Sequence, residues 1–403
     1  MSLVRPEIAS VSEDLSDPAR TEIEFTTITD ASSFERLGAE WDELVRAMPR
    51  PSPYLLHGWL CEWWRHYGGG RRLCVQAAHR GGKLVAALPL CVSERRRART
   101  LEFLGGGTSA LADLLLAEGE DESAARPLAE RAARSGQDFA DLFGLTGGSR
   151  LAAALGSSGL RLVPRVEAPV LDLSEGWESV YQKKTSSKRR NLHRRRRNQL
   201  AALGKVELSI ARSEPELATA LVHAFDLYAR RWRGRPDQSD FTTPTGRQFE
   251  RAAVRSLAAN EVPWIVLLNL DDRPIAFFYC LVFAGGIYAH KLAFDPAFGR
   301  WSPGVLTVLD TLQLASEEGL TRVEFLGGAE RFKVELADRF DPLYEGIGLT
   351  NGPLGPGLAA ARVGSIRLRA RLKASPRAQW LYHHALGIPR RLLANARAAA
   401  DDG

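Results

Sequence analysis

Beyond Val262 the apolar positions fall into three consecutive runs separated by polar punctuation. The first, residues 262–270, ends at Asp271-Asp272-Arg273-Pro274; the second, 275–283, ends at Ala284-Gly285-Gly286; the third covers 287–294. Apolar runs of this length between turn residues predict three strands joined by turns. The period then changes. Ser302 can cap a helix, Pro303 takes its first position without losing a hydrogen bond, and Val305, Leu309, Leu312 and Ala315 recur at helical spacing up to Glu318, with Gly319 as the stop. A last strand, 321–326, precedes Gly327-Gly328. The predicted order is strand, strand, strand, helix, strand.

The first part of the chain has a related pattern. Residues 31–45 predict one helix with Phe34, Leu37, Trp41 and Leu44 on a single face. Trp59, Leu60, Trp63 and Trp64 mark a second helix, and strands follow at 73–78 and 84–92. Tryptophans beside leucines at helical spacing are read as core packing and not as stacking platforms. Two strings echo each other across the chain: 101–107 (LEFLGGG) against 323–329 (VEFLGGA), and 81–90 against 271–280. These matches suggest an internal duplication. The break between halves is expected near residues 164–176, where 167–173 reads as a strand and Trp177 opens a helix leading into a basic run.

The strings Phe294-Asp295-Pro296, Ser302-Pro303-Gly304 and 325–333 (FLGGAERFK) together resemble the signature of GNAT superfamily acyltransferases of the CelD/BcsL type, which are FemABX-like tandem GNAT proteins. The basic stretch 183–197 before the apolar segment 206–210 is similar to the opening of the second domain in such proteins, and the resemblance covers about residues 23 to 345. It implies an α/β (α+β) fold of two tandem GNAT-like domains, each a mixed, mostly antiparallel sheet flanked by helices. The implied division is a flexible tail at 1–22, an N-terminal domain at 23–170 that is structural or acceptor-binding, a C-terminal acyltransferase domain at 171–350, and a basic Ala/Arg-rich tail at 351–403.

Composition is consistent with this. A chain of 403 residues with 45% hydrophobic content supplies two cores. The net charge of +6 is unevenly spread: 183–205 holds ten Lys or Arg and no acid, and 352–403 adds nine against Asp401 and Asp402. Such blocks attract polyanions, although Arg194 to Arg197 point around most of a helix and cannot all address one ligand. Cys61, Cys74, Cys91 and Cys280 sit among apolar residues without metal-like spacing, which reads as buried reduced thiols. The first residues lack an apolar targeting segment and Asp271 to Arg273 interrupt the longest apolar stretch, so a cytoplasmic location is expected, with peripheral membrane contact left open.

The resemblance also places a site. The donor is expected to be acetyl-CoA or another acyl-CoA, or an acyl carrier protein, with no metal. Its pantetheine should lie along the third strand at Leu292, Ala293 and Phe294. Its phosphates should sit by the helix start at Ser302, Gly304, Val305 and Leu306, where N–H groups and the helix dipole favour an anion, with Arg300 as the basic partner. Arg300-Trp301-Ser302-Pro303-Gly304 lacks the usual second glycine, and Pro303 removes a donor. Glu330, Lys333 and His290 are the catalytic candidates: a carboxylate or imidazole to take the amine proton and a lysine to steady the oxyanion. A Glu330–Lys333 ion pair and a hydrogen-bonded structural His290 are the plainer alternatives.

Three functions follow. The first is N-acyl transfer to an amine on a small molecule, sugar or peptide. The second is FemABX-like transfer from aminoacyl-tRNA to a cell-wall precursor, which the lack of a long heptad run disfavours. The third is a non-catalytic role in polysaccharide biosynthesis.

Overall fold

A computed structural model describes residues 22–95, 98–108, 110–120, 122–233, 240–328 and 330–374. The expected flexible tail, apart from Glu22, and residues 375–403 of the basic tail lie outside the described residues.

The N-terminal half runs β1 (Ile23–Ile28), α1 (Ala31–Glu35), α2 (Gly38–Arg46), α3 (His57–Tyr67), β2 (Arg71–Leu73), β3 (Val75–Arg80), β4 (Lys83–Leu88), β5 (Leu90–Arg95), β6 (Ala98–Phe103), β7 (Leu115–Leu116), α4 (Glu122–Ala133), β8 (Phe139–Leu145), α5 (Arg150–Gly159) and β9 (Leu160–Asp172). After α6 (Trp177–Lys184) and α7 (Ser187–Ala201) the second half repeats the order: β10 (Val206–Ala211), α8 (Glu214–Trp232), α9 (Pro244–Ala258), β11 (Pro263–Leu270), β12 (Arg273–Phe283), β13 (Gly286–Phe294), α10 (Pro303–Glu317), β14 (Arg322–Glu324), α11 (Arg331–Leu336) and β15 (Arg339–Gly348). A last helix, α12 (Gly355–Ala374), follows. Counting β2–β3 and β4–β5 each as one strand broken at Cys74 and at Pro89, and leaving aside the two-residue β7, the order in both halves is strand, helices, three strands, helix, strand, helix, strand. The duplication therefore lies in the order of elements.

One of the two sequence echoes marks it and the other does not. Gly81-Gly82 and Asp271-Asp272 form equivalent hairpin turns, all four residues at positive φ. By contrast, 101–107 ends β6, the counterpart of β13, whereas 323–329 ends β14, the counterpart of β8. That likeness is turn punctuation recurring at non-equivalent places.

The halves exchange their last strands. The large sheet has the order β10-β11-β12-β13-β14-β9-β15-β8-β6-β5-β2. β9 pairs antiparallel with β14 and with β15, and β15 pairs with β8. Each half thus closes its sheet with a strand from the other, and the expected boundary near 164–176 falls within and just after the exchanged β9. The smaller sheet, β1-β3-β4-β7, is reached where strands break at Cys74 and Pro89. At the seam, buried Glu324 accepts from Arg50 Nε at 2.9 Å.

Several local expectations need correction. The helix expected over 31–45 breaks into α1 and α2, with Asp30 capping the first through the Ser33 N–H at 2.8 Å. Gly38, a poor helix former, begins the second. Phe34, Trp41 and Leu44 are buried as the periodicity required, and Trp59 and Trp63 are core residues. The helix opening at Trp177 takes in only Lys183 and Lys184 of the basic run. It ends at Thr185, and Ser186 caps α7 afresh through the Arg189 N–H. The four cysteines are buried free thiols. α12 packs Ala359, Val363 and Ile366 against Phe139, Val163 and Ile347, so it rests on exchanged strands and not on the second half alone.

Candidate active site

β13 and β14 run parallel only from Gly286↔Arg322 to Tyr288↔Glu324. Past Tyr288 they part, and among the described residues no strand pairs with this edge of β13 from Ala289 to Phe294. The gap opens into a cavity of 660 Å³. Leu292, Ala293 and Phe294 line one wall, Gly304 and Val305 the base, and Phe325 to Gly327 with Glu330 and Lys333 the other wall. Tyr54, Gly107, Thr108 and Ala110 reach it from the N-terminal half.

The N-terminal half does not offer the same space. Its β6 and β8 pair only at Thr100↔Phe139 and Leu101↔Ala140. There, however, residues 111–116 are buried against the gap: the Ala112 N–H donates to Gly144 O at 3.1 Å, and a Cβ on Gly144 would lie 3.1 Å from the Leu111 and Ala112 nitrogens. Buried Asp113 secures that plug by accepting from the Leu114, Arg150 and Leu151 N–H groups and from Ser149 Oγ. Its burial raises its pKa, against the effect of those donors.

His290 owes its place to a β-bulge. The β12–β13 register passes from Tyr279↔Lys291 to Cys280↔Ala289, leaving His290 as the extra residue, and a bulge re-aims a side chain in this way. Its Nε2 lies 3.0 Å from Glu250 Oε1 on α9, and its Nδ1 lies 3.3 Å from Tyr54 Oη. The His290 and Glu250 side chains are 5% and 1% exposed. Glu250 Oε2 and Tyr279 Oη are buried without a hydrogen-bond partner, a concentration of polar atoms that native cores rarely keep without purpose. Burial and then Glu250 push the pKa values of Tyr54 and Tyr279 well up, so both phenols stay protonated.

Lys333 is buried at the start of α11. Its Nζ donates to Phe325 O at 3.3 Å and Gly327 O at 3.2 Å, and lies 3.1 Å from Glu330 Oε2. The anticipated ion pair exists, with a half-exposed carboxylate and a buried ammonium. Gly328 sits at φ +123°, a conformation that favours glycine, and a Cβ there would also push the Glu330 carboxylate aside. Leu326 and Ser302, at φ 56° and 52°, are left-handed non-glycine residues on either side of the cavity, a costly conformation that clusters at functional sites.

The helix start departs from expectation at three residues. Ser302 sits at the cap position of α10, but its side chain caps nothing; left-handed backbone turns it away, and its carbonyl accepts from the Val305 and Leu306 N–H groups. Leu306 is buried in a core cluster with Leu268, Leu270 and Ile275, away from the cavity. Arg300 is exposed and stacks on Trp301, its guanidinium carbon 3.9 Å from the ring centroid. The cations on the cavity wall are, besides Lys333, Arg231 and Lys291. Arg231 lies over the Phe294 ring at 4.6 Å. Asp295, at the end of β13, bonds Arg273 at 2.7 Å and the Ala297 N–H at 3.0 Å. Burial works to raise the Asp295 pKa, but these donors outweigh it and hold it below the ordinary value.

Sequence reasoning missed Glu250, Tyr54 and Arg231. None stands in a local motif; folding of distant segments brings Tyr54 and Arg231 to the cavity and sets Glu250 behind it, against His290. Among the described residues no cluster of His, Cys, Asp and Glu is arranged to hold a metal ion, and no helix is long and apolar enough to cross a membrane.

Residues 187–334 match the family described as an acetyltransferase (GNAT) domain. The matched stretch runs from α7 into α11 and contains the open edge of β13. No curated protein matches the sequence. Among solved structures, the chain is similar to FemX, with 10% identity over 80% of this chain and 96% of that one and a TM-score of 0.55. It is also similar to the DUF2156 domain of an Agrobacterium fabrum protein (15% identity, 83% and 97% covered, TM-score 0.52). L-PGS from Bacillus licheniformis follows at 11% identity, 76% and 91% covered, TM-score 0.50. At such identities the likeness is one of fold.

Proposed function

We propose that the protein is an N-acyltransferase that moves an acyl group from a thioester, on coenzyme A or an acyl carrier protein, to an amine by direct attack. The observation that carries this reading is the unpaired edge of β13 from Ala289 to Phe294, which borders the cavity and ends beside Gly304. An extended pantetheine arm has amides that can bond such an edge as an added strand does. The amine nitrogen attacks the thioester carbonyl carbon, the C=O becomes an oxyanion, and the C–S bond then breaks as the carbonyl re-forms, the leaving thiolate taking up the proton that the nitrogen gave to the base and departing as the thiol. His290 or Glu330 takes the proton that the nitrogen loses, and Lys333 steadies the negative charge. The N-terminal half contributes Tyr54 and Thr108 to the acceptor side. Within this reading the chain is of the CelD/BcsL type, on the strings 294–296, 302–304 and 325–333.

One observation favours a second reading, transfer from aminoacyl-tRNA to a cell-wall precursor. Pro303 has no N–H, and those of Val305 and Leu306 are taken by the Ser302 carbonyl, leaving the Gly304 N–H as the ready donor for a pyrophosphate at this helix start. Intact-mass analysis of the purified protein for bound CoA or phosphopantetheine, followed by thiol release from acetyl-CoA across an amine panel, tests the first reading. Amine-dependent thiol release is expected. Transfer from aminoacyl-tRNA with no release from any acyl thioester would replace it with the second.

A further inference from the structure

A second cavity, of 540 Å³, lies between α6, α7 and α10. Ser187, Arg190, Asn191, Arg194 and Arg197 line it from α7. Their spacing puts them on one helical face, which sorts the basic run: Arg190, Arg194 and Arg197 turn to the cavity, whereas Arg189 turns to Glu335 on α11. A stack of three rings bridges α6 and α7 along the cavity: Trp177 on Tyr181 at 5.1 Å and 20°, and Tyr181 on His193 of α7 at 6.1 Å and 23°. A 2.8 Å hydrogen bond joins Tyr181 Oη to His193 Nδ1.

The charges here do not balance. Arg197 pairs with Asp310, its Nη1 at 3.0 Å from Oδ2. Arg190 donates to the neutral carbonyls of Gln182 and Thr185, and Arg194 to the Asn191 amide oxygen at 2.7 Å. Neutral acceptors orient a guanidinium without cancelling its charge. Among the described residues neither arginine has a carboxylate partner, so like charges one helical turn apart repel with no anion between them.

We propose that this cavity is a second binding site, for a small molecule carrying a phosphomonoester or diphosphate. Arg190 and Arg194 supply the matching positive charge, Ser187 a hydroxyl, and the N-terminal turns of α7 a favourable dipole. Asp310 is a built-in competitor, since it occupies the third arginine. This site is independent of the acyl-transfer reading.

The test is calorimetric titration of the full chain at low salt with inorganic pyrophosphate, and in parallel with AMP and glucose 6-phosphate to separate nucleotide from sugar-phosphate sources. Saturable one-to-one binding is expected. Arg190→Gln and Arg194→Gln should each weaken it by about tenfold, as for loss of one charge-assisted hydrogen bond. Asp310→Asn should tighten it by freeing Arg197, and Arg195→Gln, on another face, should leave it unchanged. A readout needing no variant is His193. Burial first, and then Arg189 and Arg196, lower its pKa, so a bound phosphate should raise it in an NMR titration. Failure of pyrophosphate to bind, or binding indifferent to Arg190 and Arg194 with an unmoved His193, would overturn the site. Binding of tRNA alone would overturn it too, in favour of a nucleic-acid surface.

Discussion

Glu250 Oε1 lies 3.0 Å from His290 Nε2, joining two buried side chains 40 residues apart, one on a helix and one in a strand bulge. The carboxylate fixes which imidazole nitrogen carries the proton toward α9. That leaves Nδ1, beside Tyr54, as the acceptor on the cavity side. Orientation by a carboxylate is what a general-base histidine needs.

If His290 is the base, Glu250→Gln should lower kcat by about 100-fold, at the lower end of what general-base catalysis contributes. The KM for the thioester should barely change, since Glu250 does not line the cavity. Steady-state kinetics on folded protein separates the two parameters. A rise in KM at constant kcat would make the dyad a packing element of the donor site.

Lys333 and Glu330 should behave differently despite their ion pair. Lys333→Met strips a donor from the Phe325 and Gly327 carbonyls, costing about 1–3 kcal/mol of stability for buried acceptors left unsatisfied, and it removes the charge facing the oxyanion. Glu330 is half exposed, so Glu330→Gln should cost at most about 1 kcal/mol. Denaturant melts with turnover assays give both numbers. A larger loss of kcat in Glu330→Gln than in His290→Asn would transfer the base role to Glu330.

Much of the second half was legible because its elements are local. The runs at 262–294 are strands, and Pro303, Val305, Leu309 and Gly319 bound and pattern the helix as periodicity and turn chemistry dictate. The part of β13 that borders the cavity, Leu292 to Phe294, was legible only through the family likeness. The exchange of β9 and β15 was hidden, because strand partners are chosen by packing across 150 or more residues and leave no period in either strand. Arg300 looked suited to a phosphate from its place in the string; the Trp301 face captured it instead. Arg231 and Glu250 stand on ordinary amphipathic helices, where nothing nearby distinguishes them from solvated charges.

Gly304 is constrained by its neighbours more than by open space for a ligand. A Cβ there would lie 3.1 Å from Phe294 Cδ1 and 3.6 Å from Leu292 Cδ1. Gly304→Ala should be tolerated with a small shift of the Phe294 ring. Gly304→Val should displace Phe294, costing about 1–3 kcal/mol as overpacking does, and weaken donor binding by narrowing the groove. Thermal melts and donor titration of both variants check it. Equal stability of wild type and Gly304→Val would show that Phe294 moves freely.

The C-terminal helix carries a pH dependence. Arg362 on α12 reaches a buried carboxyl pair, with its Nε 2.8 Å from Asp141 Oδ2 and its guanidinium also bonded to Glu345. Arg165 approaches Glu345 at 2.8 Å. Burial, and then the neighbouring Glu345, push Asp141 up to about 8. Burial also works to raise Glu345, but the Asp141 proton, Arg362 and Arg165 outweigh it and hold it below the ordinary value. An unfolded Asp loses its proton near pH ~3.9, so between there and about 8 the native chain holds a proton that the unfolded chain has released. Stability from Asp141 is full below that window and falls as pH rises through it. Glu345 acts in the opposite sense, but only at acid pH, below the usual carboxylate range. Between pH 6 and 9 the Tm should therefore fall in wild type by several degrees, corresponding to about 2–3 kcal/mol. Asp141→Asn, permanently neutral and able to donate to Glu345, should flatten that slope. Calorimetric melts across the range decide the matter: parallel slopes in the two proteins would mean that Asp141 is already ionised at neutral pH and that α12 is held by ordinary ion pairs.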